Sequence, residues 1–168
     1  QSEHVSPSAY VSGESHYYLG RRYLLKVLVD EAAEPGVKLF RGKLEVTIRE
    51  KDPEKVRVLL SEWYRYRAKE VFQARLESVL DQALWVKSVP PLRVLTMKTQ
   101  WGSCSPGGRL TLTPHLVKAP RECIDYVILH ELCQLKEHNH SVRFYRLLGR
   151  VMPEWEKTKK RLDGMAAA

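Results

Sequence analysis

Cysteine is scarce. Cys104, Cys123 and Cys133 are the only three in 168 residues, an odd set with no Cys-x-x-Cys spacing. This argues against a disulfide framework and against a thiolate zinc cluster, and it fits a reducing, cytoplasmic setting. No run approaches the roughly 18 apolar residues of a membrane span, and Gln1-Ser2-Glu3-His4 lacks the basic and apolar regions of a signal peptide. No membrane partner is expected. There is also no internal repeat and no low-complexity tract, so residues 1–168 read as one domain with flexible tails at 1–9 and 164–168. A chain of this length builds a core without metal or disulfide staples, so any bound metal would be functional rather than structural.

Acidic residues are in the minority, 20 against 28 Lys and Arg, giving a formal net charge of +8. This balance favours acidic partners such as nucleic acid, nucleotides or acidic proteins. The basic residues gather at Arg57, Arg65, Arg67, Lys69 and Arg75, and again at Lys157, Lys159, Lys160 and Arg161. No recognised nucleic-acid motif accompanies them, so solvated faces are the simpler reading. Trp63-Tyr64-Arg65-Tyr66-Arg67 mixes aromatics with arginines, yet on a helix only part of it shares a face.

Alternation and turn residues predict two β-hairpins, one over residues 16–29 around Gly20 and one over residues 37–48 around Arg41-Gly42. Asp52-Pro53-Glu54 reads as an N-cap, a first-turn proline and an acidic first turn. A long amphipathic helix should run from there to about Leu84, with Val56, Leu59, Leu60, Trp63, Ala68, Val71, Phe72, Leu76, Val79 and Leu80 in its apolar stripe. Residues 92–98 and 109–113 look like strands joined through a Trp101 loop. Helices are expected over Arg121–Glu137, Ser141–Val151 and Pro153–Asp163. Strands segregated from helices give an α+β architecture.

The chemistry concentrates in His130-Glu131-Leu132-Cys133-Gln134, followed by His140. It reads as the zinc-hydrolase pattern His-Glu-x-x-His with Gln134 in place of the second histidine. Side chains four apart on a helix lie on one face about 6 Å apart along the axis, so both can reach one ion. Zinc lowers the pKa of water to about 7, and the adjacent Glu131 can take its proton as general base. His140 is placed as a further ligand if the helix breaks near Asn139. His138 would lie about 12 Å along the axis from His130 on a continuous helix, too far to share an ion; it could serve if the helix breaks early, or instead hold substrate or sit in solvent.

Tyr126 to Gln134, continued by Glu137-His138-Asn139-His140-Ser141 and Phe144-Tyr145, resembles the YgjP-like family of small metallopeptidases, relatives of the SprT-like proteases. Upstream, Lys98-Thr99-Gln100-Trp101-Gly102-Ser103-Cys104-Ser105 resembles that family's Trp-Gly-Ser-Cys loop. Gly13-Glu14 and Tyr18 to Tyr23 resemble its opening strands. The resemblance implies a zincin-like α+β domain with N-terminal hairpins, a long backing helix, a small sheet, the motif helix and C-terminal helices. It further implies one zinc per chain, or nickel or another divalent ion, at His130, position 134 and His140, with Glu131 as base and a peptide or protein as substrate. The family has His at 134 and usually Arg at 100, and both are Gln here.

A carboxamide is a poor zinc donor beside imidazole, thiolate or carboxylate. Three outcomes are open at Gln134: weak coordination through its oxygen, a metal held by His130 and His140 with extra water, or no metal. The same water could instead be directed at a phosphoanhydride, as in a nucleotide pyrophosphatase, although no carboxylate-rich magnesium site accompanies it. A nucleic-acid-associated binding module without catalysis is a further alternative. Cys104 as a nucleophile with His115 or His130 is a minor one, because no Cys–His signature or oxyanion loop is recognisable. Phe144, Tyr145 and Trp155 read as core, with an oxyanion-polarising hydroxyl as the minor alternative for Tyr145, and Arg109 to Pro114 as an edge strand able to pair with a substrate backbone.

Overall fold

The computed structural model describes residues 8–165. The two hairpins turn on Leu19-Gly20 and Arg41-Gly42, where φ is +51° and +82°, then +51° and +76°. Positive φ at both central residues matches the right-handed twist of paired strands. The first turn joins β1 (Ser15–Tyr18) to β2 (Arg21–Val29), and the second joins β3 (Gly36–Phe40) to β4 (Lys43–Ile48). A parallel pairing of β2 with β4, Leu25 opposite Leu44 and Val27 opposite Val46, merges the hairpins into one sheet of order β1-β2-β4-β3. That long-range pairing is not legible in either hairpin alone.

Asp52 caps α1 (Pro53–Val79), its carboxylate accepting from the Glu54 amide at 3.0 Å. Buried Val56, Leu60, Tyr64, Ala68, Phe72 and Leu76 recur every fourth residue and turn α1 onto both β4 and the second half of the chain. Tyr64 is a core residue that hydropathy alone passes over. It is buried because its hydroxyl donates to the Tyr17 carbonyl at 2.6 Å. A short 3₁₀ turn, Leu80–Gln82, ends this helical stretch before the expected Leu84.

The second sheet has three strands, β5 (Leu92–Val94), β6 (Gly102–Cys104) and β7 (Leu110–Leu112), in the order β5-β7-β6. The Trp101 segment is thus partly a strand, antiparallel to β7, while β5 and β7 run parallel. After a 3₁₀ turn at Pro114–Lys118 come α2 (Arg121–Lys136), α3 (Val142–Val151) and α4 (Trp155–Asp163). α2 is the central element. Cys123, Ile124, Tyr126, Val127, Ile128, Leu129, Leu132 and Cys133 are all buried, and the helix packs on α1, α3, α4 and β6. Arg75 of α1 ties to Asp125 of α2 through two hydrogen bonds of 2.8 and 2.7 Å, and the Trp85 indole donates to the Leu132 carbonyl at 2.7 Å.

The fold is α+β, with α1 and α2 as its backing layer. Of the tails expected to be flexible, residues 1–7 and 166–168 lie outside the described residues. Ala9 donates to Glu14 and Met165 to the Leu162 carbonyl. Among the described residues, no helix is long and apolar enough to cross a membrane.

Candidate metal centre

α2 presents His130, Glu131 and Gln134 from its last two turns, and the helix then ends at Lys136, one residue before the expected Glu137 and ahead of the break near Asn139 invoked for His140. The chain leaves in extended conformation at Glu137 (φ −119°, ψ 97°) and turns back, bringing the His140 ring to 5.2 Å from that of His130. His138 is exposed and does not line the cleft. Phe144 of α3, fully buried, meets both imidazoles edge-on at 5.0 and 4.7 Å and fixes their relative placement.

These side chains share a cleft of about 390 Å³ with Gln100, Gly102 and Cys104 on one wall and Tyr126, Lys159 and Asp163 on the other. Size does not single it out. A cavity of about 1120 Å³ lies elsewhere and holds none of His130, Glu131, Gln134 or His140. The smaller cleft is the better candidate because it gathers every residue that the motif nominates.

Two features define its electrostatics. Glu131 is buried at 6 % exposure, and its Oε2 has no hydrogen-bond partner among the described residues, while Oε1 lies 3.6 Å from Nδ1 of His130. A buried carboxylate oxygen with nothing to accept from is costly, so the site calls for a proton donor or a cation in the cleft. Gln134 and His140 are in hydrogen-bond contact through their Nε2 atoms. With the amide donating, Nε2 of His140 accepts and its proton sits on Nδ1. The lone pair a metal would use is therefore engaged by Gln134.

Among the described residues, no group of three His, Cys, Asp or Glu could hold a metal. The donors that the motif offers an ion here are two imidazoles and the Gln134 carboxamide. That set fits a divalent ion, with the carboxamide as its weak member, once the amide turns its oxygen inward. Burial, then the charge of Glu131, pushes the Cys104 thiol up to about 11. A thiol so protonated is a poor nucleophile, and this weakens the minor Cys104 reading.

The strand expected to receive a substrate backbone, Arg109 to Pro114, is corrected. β7 is the central strand, hydrogen-bonded on both sides, and the free edge beside the cleft belongs to β6. Tyr145, expected in the core, is 41 % exposed and sits 6.4 Å from His140, ring to ring. Lys159 and Asp163 reach the cleft from α4, paired at 2.8 Å. Their i,i+4 spacing was visible, but nothing local says that α4 folds back across α2.

A family profile described as "YgjP-like, metallopeptidase domain" matches residues 1–165. The crystal structure of the metallopeptidase zymogen of Pyrococcus abyssi abylysin aligns with a TM-score of 0.50 and 26 % identity, over 54 % of this chain and 90 % of that one. The metallopeptidase zymogen of Methanocaldococcus jannaschii jannalysin aligns at 0.45 and 22 %, over 58 % and 95 %. No curated protein sequence matches the chain.

Proposed function

The chain belongs to the YgjP-like metallopeptidase family, and we propose that it is a metal-dependent peptidase in which His130, Gln134 and His140 hold one divalent ion, zinc foremost, and Glu131 is the general base. The observation that carries this reading is the buried, unpartnered Oε2 of Glu131 beside the paired histidines. When bound, the ion would supply Lewis-acid polarisation of a peptide carbonyl and acidify water in the cleft.

The rest is the work of the chain's own residues. Glu131 accepts the proton of the attacking water at the oxygen that has no partner among the described residues, and its burial excludes bulk water from that transfer. The free edge of β6 offers backbone groups to an extended substrate, which orients the scissile bond across the cleft. Gln134 has to release His140 before that ring can bind a metal, so affinity is expected to be low. The family match favours a peptide or protein substrate over the phosphoanhydride and nucleic-acid readings.

The test is hydrolysis of an unfolded protein by zinc-loaded parent and Glu131→Gln, with metal content measured in both. Glu131→Gln should abolish turnover and keep its metal. Activity within a few-fold of the parent removes the general-base role, and loss of metal as well would make Glu131 a ligand.

A further inference from the structure

The cavity of about 1120 Å³ lies between the first hairpin, α1 and the 3₁₀ turn at Pro114–Lys118. Its charges are unbalanced. Glu14 is its one lining carboxylate among the described residues, and its oxygens are already taken by Ser8, the Ala9 and Tyr10 amides and His16. Arg57 is matched by Glu54 at 2.9 Å. Two cations remain. The Lys118 ammonium makes no hydrogen bond or ion pair among the described residues and rests 4.8 Å from the centre of the Tyr64 ring. Among the described residues, Arg65 is held by neutral acceptors alone, the Val94 carbonyl at 3.4 Å and the Thr96 hydroxyl at 3.0 Å, which fix its charge in place without neutralising it.

A half-buried ammonium without a counter-charge is unfavourable in the free protein, and an anion would relieve it. Burial already holds the Lys118 pKa below the usual lysine range. The remaining lining mixes small polar and aliphatic side chains with five rings, those of Tyr10, His16, Tyr17, Tyr64 and His115. Tyr10 stacks on His16 at 6.2 Å and 23°, and Tyr64 is fixed by its bond to Tyr17. A bare ion would leave such a cavity mostly empty, whereas small-molecule pockets span about 300–1,000 Å³. Flat faces and unpaired cations together suit an organic anion carrying a ring, and two cations suit the multiple oxygens of a phosphate.

We propose that this cavity is a second site, separate from the metal centre, which binds a phosphorylated small molecule with Lys118 and Arg65 as its counter-charges. It rests on nothing assigned to His130, Glu131, Gln134 or His140.

The experiment titrates the full chain at low salt with adenosine monophosphate, inorganic phosphate and succinate, following the histidine ring NMR signals together with calorimetry. Adenosine monophosphate should move the His16 and His115 signals, which line the cavity, and leave those of His130 and His140 in place. Lys118→Met should weaken it tenfold or more, and Lys118→Arg should stay within a few-fold of the parent. No movement at His16 or His115 by about 10 mM, where a binding free energy would be under about 3 kcal/mol, overturns the proposal. So does succinate binding as well as adenosine monophosphate. Inorganic phosphate binding equally well overturns the organic occupant and upholds the phosphate site. The parent titration decides the matter even if Lys118→Met fails to fold.

Discussion

Gln134 changes what the neighbouring groups can do more than any other residue here. A histidine at that position would leave His140 free. The amide instead engages the Nε2 of His140, and the adjacent Glu131 has an oxygen with no hydrogen-bond partner among the described residues. His130, Glu131, Gln134 and His140 could all be nominated from spacing, because i,i+4 geometry on a helix is local. Their relation to Cys104, Lys159 and Asp163 could not, because it depends on where β6 and α4 pack. Cys104 gives a test at this scale. With its pKa at about 11 against an ordinary thiol near 9, the thiolate fraction near neutral pH falls by two orders of magnitude. The greater nucleophilicity of a more basic thiolate restores part of that loss. Iodoacetamide at pH 8 should therefore label Cys104 roughly tenfold or more slower than a free cysteine peptide. Labelling as fast as the peptide would mean that the thiol is not held as described.

The element that sets the cleft's width is β6, through its contact with α2. Gly102 allows that contact: a Cβ there would lie 2.8 Å from Cγ1 of Val127, 2.9 Å from Cδ2 of Leu112 and 3.3 Å from the Thr111 carbonyl. Sequence showed the Trp-Gly-Ser-Cys segment as a loop of small residues. It could not show a strand, since three residues carry too little alternation and their pairing partner lies beyond the Pro106-Gly107-Gly108 turn. Gly102→Ala is expected to destabilise the fold by about 1–3 kcal/mol through overpacking. It should also move the strand edge away from Glu131, lowering activity beyond what stability explains. Chemical denaturation of Gly102→Ala beside Gly102→Ala/Val127→Ala decides the cause. Removing the Val127 methyls should recover part of the loss, and no recovery would point to the contacts with Leu112 and Thr111 instead.

For the molecule as a whole, α2 is both the core of the fold and the carrier of the proposed ligands, so binding there would be linked to global stability. The hairpins, the long helix and the C-terminal helices were legible because turn glycines, an N-cap and 3.6-residue periodicity are local signals. The parallel β2–β4 pairing and the placement of α4 were not, because they join segments distant in sequence. An ion held at the end of α2 can bind only when α2 is packed against α3, since His140 reaches His130 through the turn that Phe144 anchors. Zinc should therefore raise the melting temperature. It should do so more in Gln134→His, where imidazole replaces a poor donor and the competing amide bond to His140 is gone. Affinity should rise by an order of magnitude or more, and zinc at 100 times the Kd adds about 2.7 kcal/mol. For a domain of this size that is a shift of roughly 5–10 °C. Parent protein at the same zinc concentration should shift by a few degrees at most. Equal shifts in the two proteins would show that position 134 does not face the ion, and the ligand set proposed for this helix would fall with it.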